Sequence, residues 1–390
     1  MLNFKGIVHF MQQKAYGTNT SSPMQSNNNT SRIAVRPLLR VFALSGILMS
    51  SAYAGGKADD YIRTSISSTF DNVNKFECEG GERSAICKID RYDFQNADGF
   101  ALRNYRYTVD YKDTRVIERA SGDIEVPSNY DLKIFVPKHF ECSDFTQLHN
   151  EKQQINEQLV CAINSDTYKV QFRLRAKTHA PAFANVNAMS FLQKSTAFMD
   201  KAIKEIANTR DNKQLKEKME GFKKLLNTID VNIYGVDIAI TKPNLPQKIY
   251  EYVFDDMLDD IDDATEHASS RASQLSRTLY NTAVGYIYGN AIGYVWGNDS
   301  IDSRTKESLN KLFTTLRDSA MLNSNIRTVY ITITNRTNKG FNLGRAVDKI
   351  TQKTASFSQL NRDQVGKTLN LFDGEVFNRY RIEVGATRFK

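Results

Sequence analysis

The chain has little of several things, and each shortage excludes something. There are four cysteines and one tryptophan in 390 residues. With so few cysteines, bridges can staple a fold but cannot replace its core. After residue 54 the histidines are His139, His149, His179 and His267. None belongs to an H-E-x-x-H pair, and no serine occupies a G-x-S-x-G turn. No catalytic residue, metal ligand or cofactor is therefore nominated, and the reading is non-enzymatic, with a hydrolase of unrecognised site as the alternative. Gly366-Lys367-Thr368 imitates the end of a phosphate-binding loop, but Asn361 stands where its first glycine is required.

Acidic residues are missing altogether from residues 1–54, which hold Lys5, Lys14, Arg32, Arg36 and Arg40. The formal charge of +8 owes most of its size to them, since the remainder has 47 basic and 44 acidic residues. That balance gives no electrostatic footprint for nucleic acid, and no nucleic-acid partner is expected. Residues 32–54 read as a signal peptide. Three arginines precede a short apolar run, Val41–Met49, and Ala52-Tyr53-Ala54 supplies the small-x-small cleavage pattern before Gly55. Residues 1–31 read as a disordered leader. The expected destination is the periplasm, the outer membrane or the exterior, reached through the Sec pathway. No later stretch reads as an ordinary transmembrane helix.

What is present is a motif that occurs twice. Phe76-Glu77-Cys78 leads through Gly80-Gly81 to Cys87-Lys88-Ile89, and Phe140-Glu141-Cys142 leads through a longer polar insert to Cys161-Ala162-Ile163. Four cysteines allow three connectivities. The repetition favours local pairing, Cys78 with Cys87 and Cys142 with Cys161, each bridge stapling a hairpin in an oxidising compartment.

Asp59–Phe70 reads as a short helix. From Lys75 to Lys177 the pattern alternates, as at Tyr105, Tyr107, Val109 and Tyr111, and predicts strands with one apolar and one polar face. Val116–Val126 and Tyr130–Val136 read as two further strands, and Tyr168–Leu174 as another. The aromatic residues here, with Arg103, Arg106 and Arg115, are explained by strand composition rather than by a stacking platform. From Met189 the period is helical. An apolar stripe from Leu215 to Ile229 feeds a strand at Val231–Thr241. Leu309–Leu316 then feeds Val329–Ile333, and Val365–Phe372 feeds Tyr380–Val384. The fold class is therefore α+β, a large, mainly antiparallel sheet with helices packed on it. Residues 55–180 form a bridged β-rich part and residues 181–390 a helix-strand part. No Pro/Gly/Ser-rich linker divides them, so one continuous body is expected.

Two stretches are candidate surfaces. Thr278–Asn298 has no charged residue, and Gly285, Gly289, Gly293 and Gly297 fall four apart. On a helix the glycines would form a smooth ridge. On a strand Tyr286, Tyr288, Tyr294 and Trp296 would share one face. The structural reading is a hairpin or helix end packed in the core. The functional reading is a surface for a lipid-like ligand or a protein partner, with peripheral membrane contact as a further option. The acidic run Asp255–Glu266 reads as a solvated helix face rather than a calcium site.

The order of these elements resembles the Campylobacter jejuni lipoprotein A type of surface adhesin. The resemblance is carried by the early helix, Phe76-Glu77-Cys78 with its glycine turn and Cys87, the long strands, and a late helix before Val329-Tyr-Ile-Thr-Ile-Thr. It implies an open, half-barrel-like sheet with a concave apolar face and a role in host-cell attachment. Similar open sheets carry lipids. Such adhesins are anchored through a lipid-bearing cysteine at the processed N-terminus. Gly55 stands at that place here, which implies a periplasmic or released form.

Overall fold

The computed structural model describes residues 57–70, 76–94, 99–128, 133–149, 153–179, 227–242, 244–262, 266–342 and 378–388, with a few isolated positions between them. The leader, the signal segment, the stripe from Leu215 to Leu226, the Val365–Phe372 helix and Gly366-Lys367-Thr368 lie outside the described residues. The side chains of the acidic run do too.

Alternating sequence becomes strand wherever both faces have a use. In order come α1 (Ala58–Thr69), β1 (Glu77–Gly80), β2 (Ser84–Asp93), β3 (Ala101–Lys112), β4 (Arg115–Glu125), β5 (His139–His149), β6 (Gln154–Asn164), β7 (Lys169–His179) and β8 (Asp230–Thr241). They are followed by α2 (Leu245–Asp262), α3 (Glu266–Gly297), α4 (Ser303–Ala320), β9 (Ile326–Asn335), β10 (Phe341–Asn342) and β11 (Tyr380–Arg388). The strands form one eleven-stranded sheet in the order β1-β2-β3-β4-β5-β6-β7-β8-β9-β11, with β10 added to β8. Every pairing is antiparallel, and the end strands β1 and β11 are not joined to each other. The α+β open sheet expected from the sequence is the fold observed. It runs without a break from β7 to β8, where Val170 stands opposite Ile240.

One local reading changes. The described part of Tyr130–Val136, Tyr130 and Lys133–Val136, is not strand. Its backbone is satisfied in turns, with N–H groups of Tyr130, Lys133 and Val136 donating to the carbonyls of Pro127, Tyr130 and Lys133. Lys133–Phe135 is a single 3-10 turn. The polar insert between Cys142 and Cys161 forms the two long arms of the β5–β6 hairpin, paired from His139–Asn164 to His149–Gln154.

The described residues divide into two compact units. In Pro246–Tyr280, α2 and the first half of α3 meet around Tyr250. Its hydroxyl lies 2.7 Å from Ser276 Oγ, and its ring packs edge-on against Tyr280. α2 is kinked at Phe254, whose backbone leaves the helical region.

The other unit contains the sheet. At one end α1 buries Tyr61, Ile62 and Ile66 against β2 and β3, whose Cys87, Ile89, Tyr107 and Val109 are also buried. At the far end Leu309 of α4 and Val295 of α3 close over Val329, Ile331, Ile382 and Val384. α4 starts where Asp302 caps it, its Oδ1 accepting from Thr305 N–H at 2.7 Å. Between these two packed ends lie the central strands.

Candidate functional site

Register places one set of side chains on a single face across the whole sheet. One row crosses it as Val109, Glu118, Asp144, Leu159, Leu174, Val236, Ile333 and Ile382. The next row holds Tyr107, Ala120, Cys142, Cys161, Phe172, Ile238, Ile331 and Val384. Among the described residues, the main helix contacts with this face are at its ends, α1 on β1–β3 and α4, joined by Val295 of α3, on β9 and β11. On β7 and β8 the apolar side chains Val170, Phe172, Leu174, Val236, Ile238 and Ile240 are only half-buried, with Ile238 and Ile240 at the margin of the far-end cluster. Apolar surface left toward water costs about 25 cal/mol per Å² relative to burial. This strip is the candidate site.

Three carboxyls lie beside it on the same face, on β4, β5 and β6. Glu118 on β4 is 2% exposed and accepts hydrogen bonds from the hydroxyls of Tyr61, at 3.0 Å, and Tyr107. Asp144 on β5 is directly across from it, and Glu157 on β6 follows opposite Thr146. Desolvation pushes the Glu118 and Glu157 carboxyls up to about 8 and that of Asp144 to about 7. The charge of Asp144 raises both glutamates further, while the two tyrosine hydroxyls oppose the shift at Glu118. Asp144 Oδ1 and the Tyr111 hydroxyl are buried without a hydrogen-bond partner. With these carboxyls protonated, the face is close to neutral, as an apolar occupant requires. No group of three metal-ligating side chains is present among the described residues.

The cysteines behave as their repetition suggests. Cys78 is bonded to Cys87 across β1 and β2, and Cys142 to Cys161 across β5 and β6, each pair in direct register. The second bridge lies on the apolar face beside Phe172, the register partner of Cys161. Two bridges fit an oxidising compartment.

The Gly/aromatic stretch is not a hairpin but a helix end, and much of it is exposed rather than packed in the core. It is the C-terminal half of the 32-residue α3. Buried Ser276, Tyr280 and Val295 share one side of the helix, and at 3.6 residues per turn the four glycines fall on the other side. A Cβ at Gly285, Gly289, Gly293 or Gly297 would have no neighbour within 4 Å. The four candidate aromatics therefore do not share a face. Tyr286 is 61% and Trp296 49% exposed, while Tyr288 and Tyr294 are half-buried. Burial raises the Tyr288 hydroxyl above the ordinary tyrosine range. No described helix is long and apolar enough to cross a membrane.

Glu118, Asp144 and Glu157 belong to no motif, yet the sequence marks them. Each interrupts an apolar alternation: Val116-Glu118-Ala120, Cys142-Asp144-Thr146 and Ile155-Glu157-Leu159. A charge on the inward phase of a strand is the available signal. No family model matches the chain, and no curated protein matches it.

Proposed function

We propose that this chain is an exported binding protein without enzymatic activity, holding a lipid-like ligand on the apolar strip of β7 and β8. The observation that supports it is the half-buried state of that strip between two ends that described helices cover. An acyl chain laid along Phe172, Leu174, Val236 and Ile238 would remove apolar surface from water, and the protonated carboxyls beside it leave the strip uncharged. The reading is tested by native mass spectrometry of the protein taken from its own envelope fraction. Acyl species released on denaturation, and lost from a Leu174→Glu variant that still forms both bridges, are the expected result. A bare chain that also fails to take up an apolar fluorescent probe rejects it.

A protein partner, as in adhesin-like attachment, is favoured by a separate observation. Tyr286 and Trp296 stand exposed with Ile287 (63%) on a charge-free helix segment. Exposed aromatics of this kind anchor protein interfaces. Under this reading Tyr286→Asp with Trp296→Asp abolishes attachment of the purified chain to host cells while leaving acyl content unchanged. Undiminished attachment rejects it.

A further inference from the structure

The polar face of the sheet carries an unusual strand. β7 has four cations and a histidine in eleven residues and no acid. Its outward positions are Lys169, Gln171, Arg173, Arg175, Lys177 and His179, and all but Arg175 are exposed. At ~3.4 Å per residue, Lys169 and Lys177 stand ~27 Å apart on a straight line, with cations at ~7 Å steps over the second half.

The neighbouring strands sharpen this feature. On β6 the outward partners of Lys169, Arg175, Lys177 and His179 are Asn164, Gln158, Asn156 and Gln154, all uncharged amides. On β8 the outward acids are Asp230, opposite His179, and Asp237, which stands opposite Arg173 but is engaged by Arg175 at 3.1 Å. A bulge beside Arg175 turns Tyr234 to this face, and its ring lies under Arg175 at 5.7 Å and Lys177 at 5.3 Å. Glu141 is the nearest outward acid on β5, two strands away. Lys169, Arg173 and Lys177 thus have no ion pair with a described residue.

We propose that the outer face of β7 binds a linear sulfated polysaccharide. A straight file of cations matches an anion repeated along an extended chain, and the β6 amides can pair with sugar hydroxyls. A polymer with one carboxylate per two sugars is too sparse for this spacing. A nucleic acid would need open aromatic rings on which to stack its bases, and the Tyr234 ring is already faced by two cations. An anionic bilayer would need exposed apolar side chains to insert, and this strand offers none outward.

The test is titration of the bridged protein with a heparin-derived octasaccharide at several salt concentrations. Lys169→Gln with Arg173→Gln and Lys177→Gln is expected to weaken binding about tenfold or more and flatten the salt dependence, because counterion release scales with the charges neutralised. Lys88→Gln with Arg106→Gln and Lys112→Gln removes the same charge from exposed positions of β2 and β3 and should change little. Equal weakening by both triple variants overturns the proposal, as does equal or tighter binding of an unsulfated uronate polymer or of a charge-matched single-stranded oligonucleotide. Should the first triple variant not fold, Arg173→Gln is compared with Arg106→Gln under the same criterion. Uptake of an apolar probe reports the opposite face and is expected to be unchanged, so the two sites succeed or fail separately.

Discussion

Glu118 and Asp144 stand opposite each other on adjacent strands, with both carboxyls on the apolar face of the sheet. Two like charges so placed would repel in a site that also desolvates them. Burial away from water pushes both carboxyls up, and the charge of Asp144 adds to the shift at Glu118.

A stability profile follows from Glu118. Its folded value, about 8, lies above the ordinary 4.5, so the native state holds a proton that the unfolded chain releases. Stability from this group is complete below the unfolded value and falls as pH rises from there to about 8. Glu118→Gln keeps an acceptor for Tyr61 and Tyr107 but cannot ionise. Urea unfolding at pH 5 and pH 9 should show the variant losing less stability than the parent. The difference should reach a few kcal/mol, since each tenfold gain in proton affinity is worth ~1.4 kcal/mol. Parallel pH profiles for the two proteins would refute the buried-carboxyl assignment.

The bridges should differ in value. Cys78–Cys87 closes nine residues at the edge of the sheet, and Cys142–Cys161 closes nineteen at its centre. Loop-closure entropy makes the longer loop worth about 0.7 kcal/mol more, and each bridge is worth roughly 2–4 kcal/mol. Replacing Cys142 and Cys161 by serine should lower the melting temperature more than replacing Cys78 and Cys87. The reverse order would show that native packing at α1, not the unfolded chain, decides the loss.

The sheet was legible because its alternation is regular. Tyr105 to Tyr111, Val329 to Ile333 and the paired cysteines identify strands and even partners. The β5–β6 hairpin was harder, since Gln147, Asn156 and Gln158 lie on a solvated outer face and Thr146 adds a polar residue to the buried one. Tyr130–Val136 has strand-like residues, but Pro127 and Pro137 bracket it and turns meet its backbone needs. The helical state of Gly285–Gly297 was undecided because the same four-residue spacing suits a ridge and a strand face alike. The carboxyls beside the apolar strip were visible as breaks in alternation, but their approach to one another depends on register, which no single strand encodes.

Asp302 offers a local check on α4. Thr305 N–H, followed by nearby Arg336 and Arg304, holds its carboxyl below the ordinary range. Its contribution is therefore present above the unfolded value, near 3.9, and is lost as pH falls through the lower folded value. Asp302→Ala should cost about 1 kcal/mol at pH 7. The difference between parent and variant in thermal unfolding should shrink at pH 2, and a difference that persists there would mean that the cap does not act through its charge.

The glycine ridge of α3 can be judged by filling it. Gly289 and Gly293 are exposed, lie inside a helix and have open space where a side chain would go. In that setting alanine restricts the unfolded chain and favours helix, by up to about 1 kcal/mol for each glycine replaced. Gly289→Ala with Gly293→Ala should therefore raise the melting temperature of the isolated chain. If the ridge instead serves as a close-approach surface for a second helix in solution, the added methyl groups would hold the two backbones apart. The variant would then melt lower, with a dependence on protein concentration that the parent shows and the variant loses. A higher melting temperature at every concentration would assign the ridge to solvent and leave Tyr286 and Trp296 as the groups on this helix that a partner would have to engage.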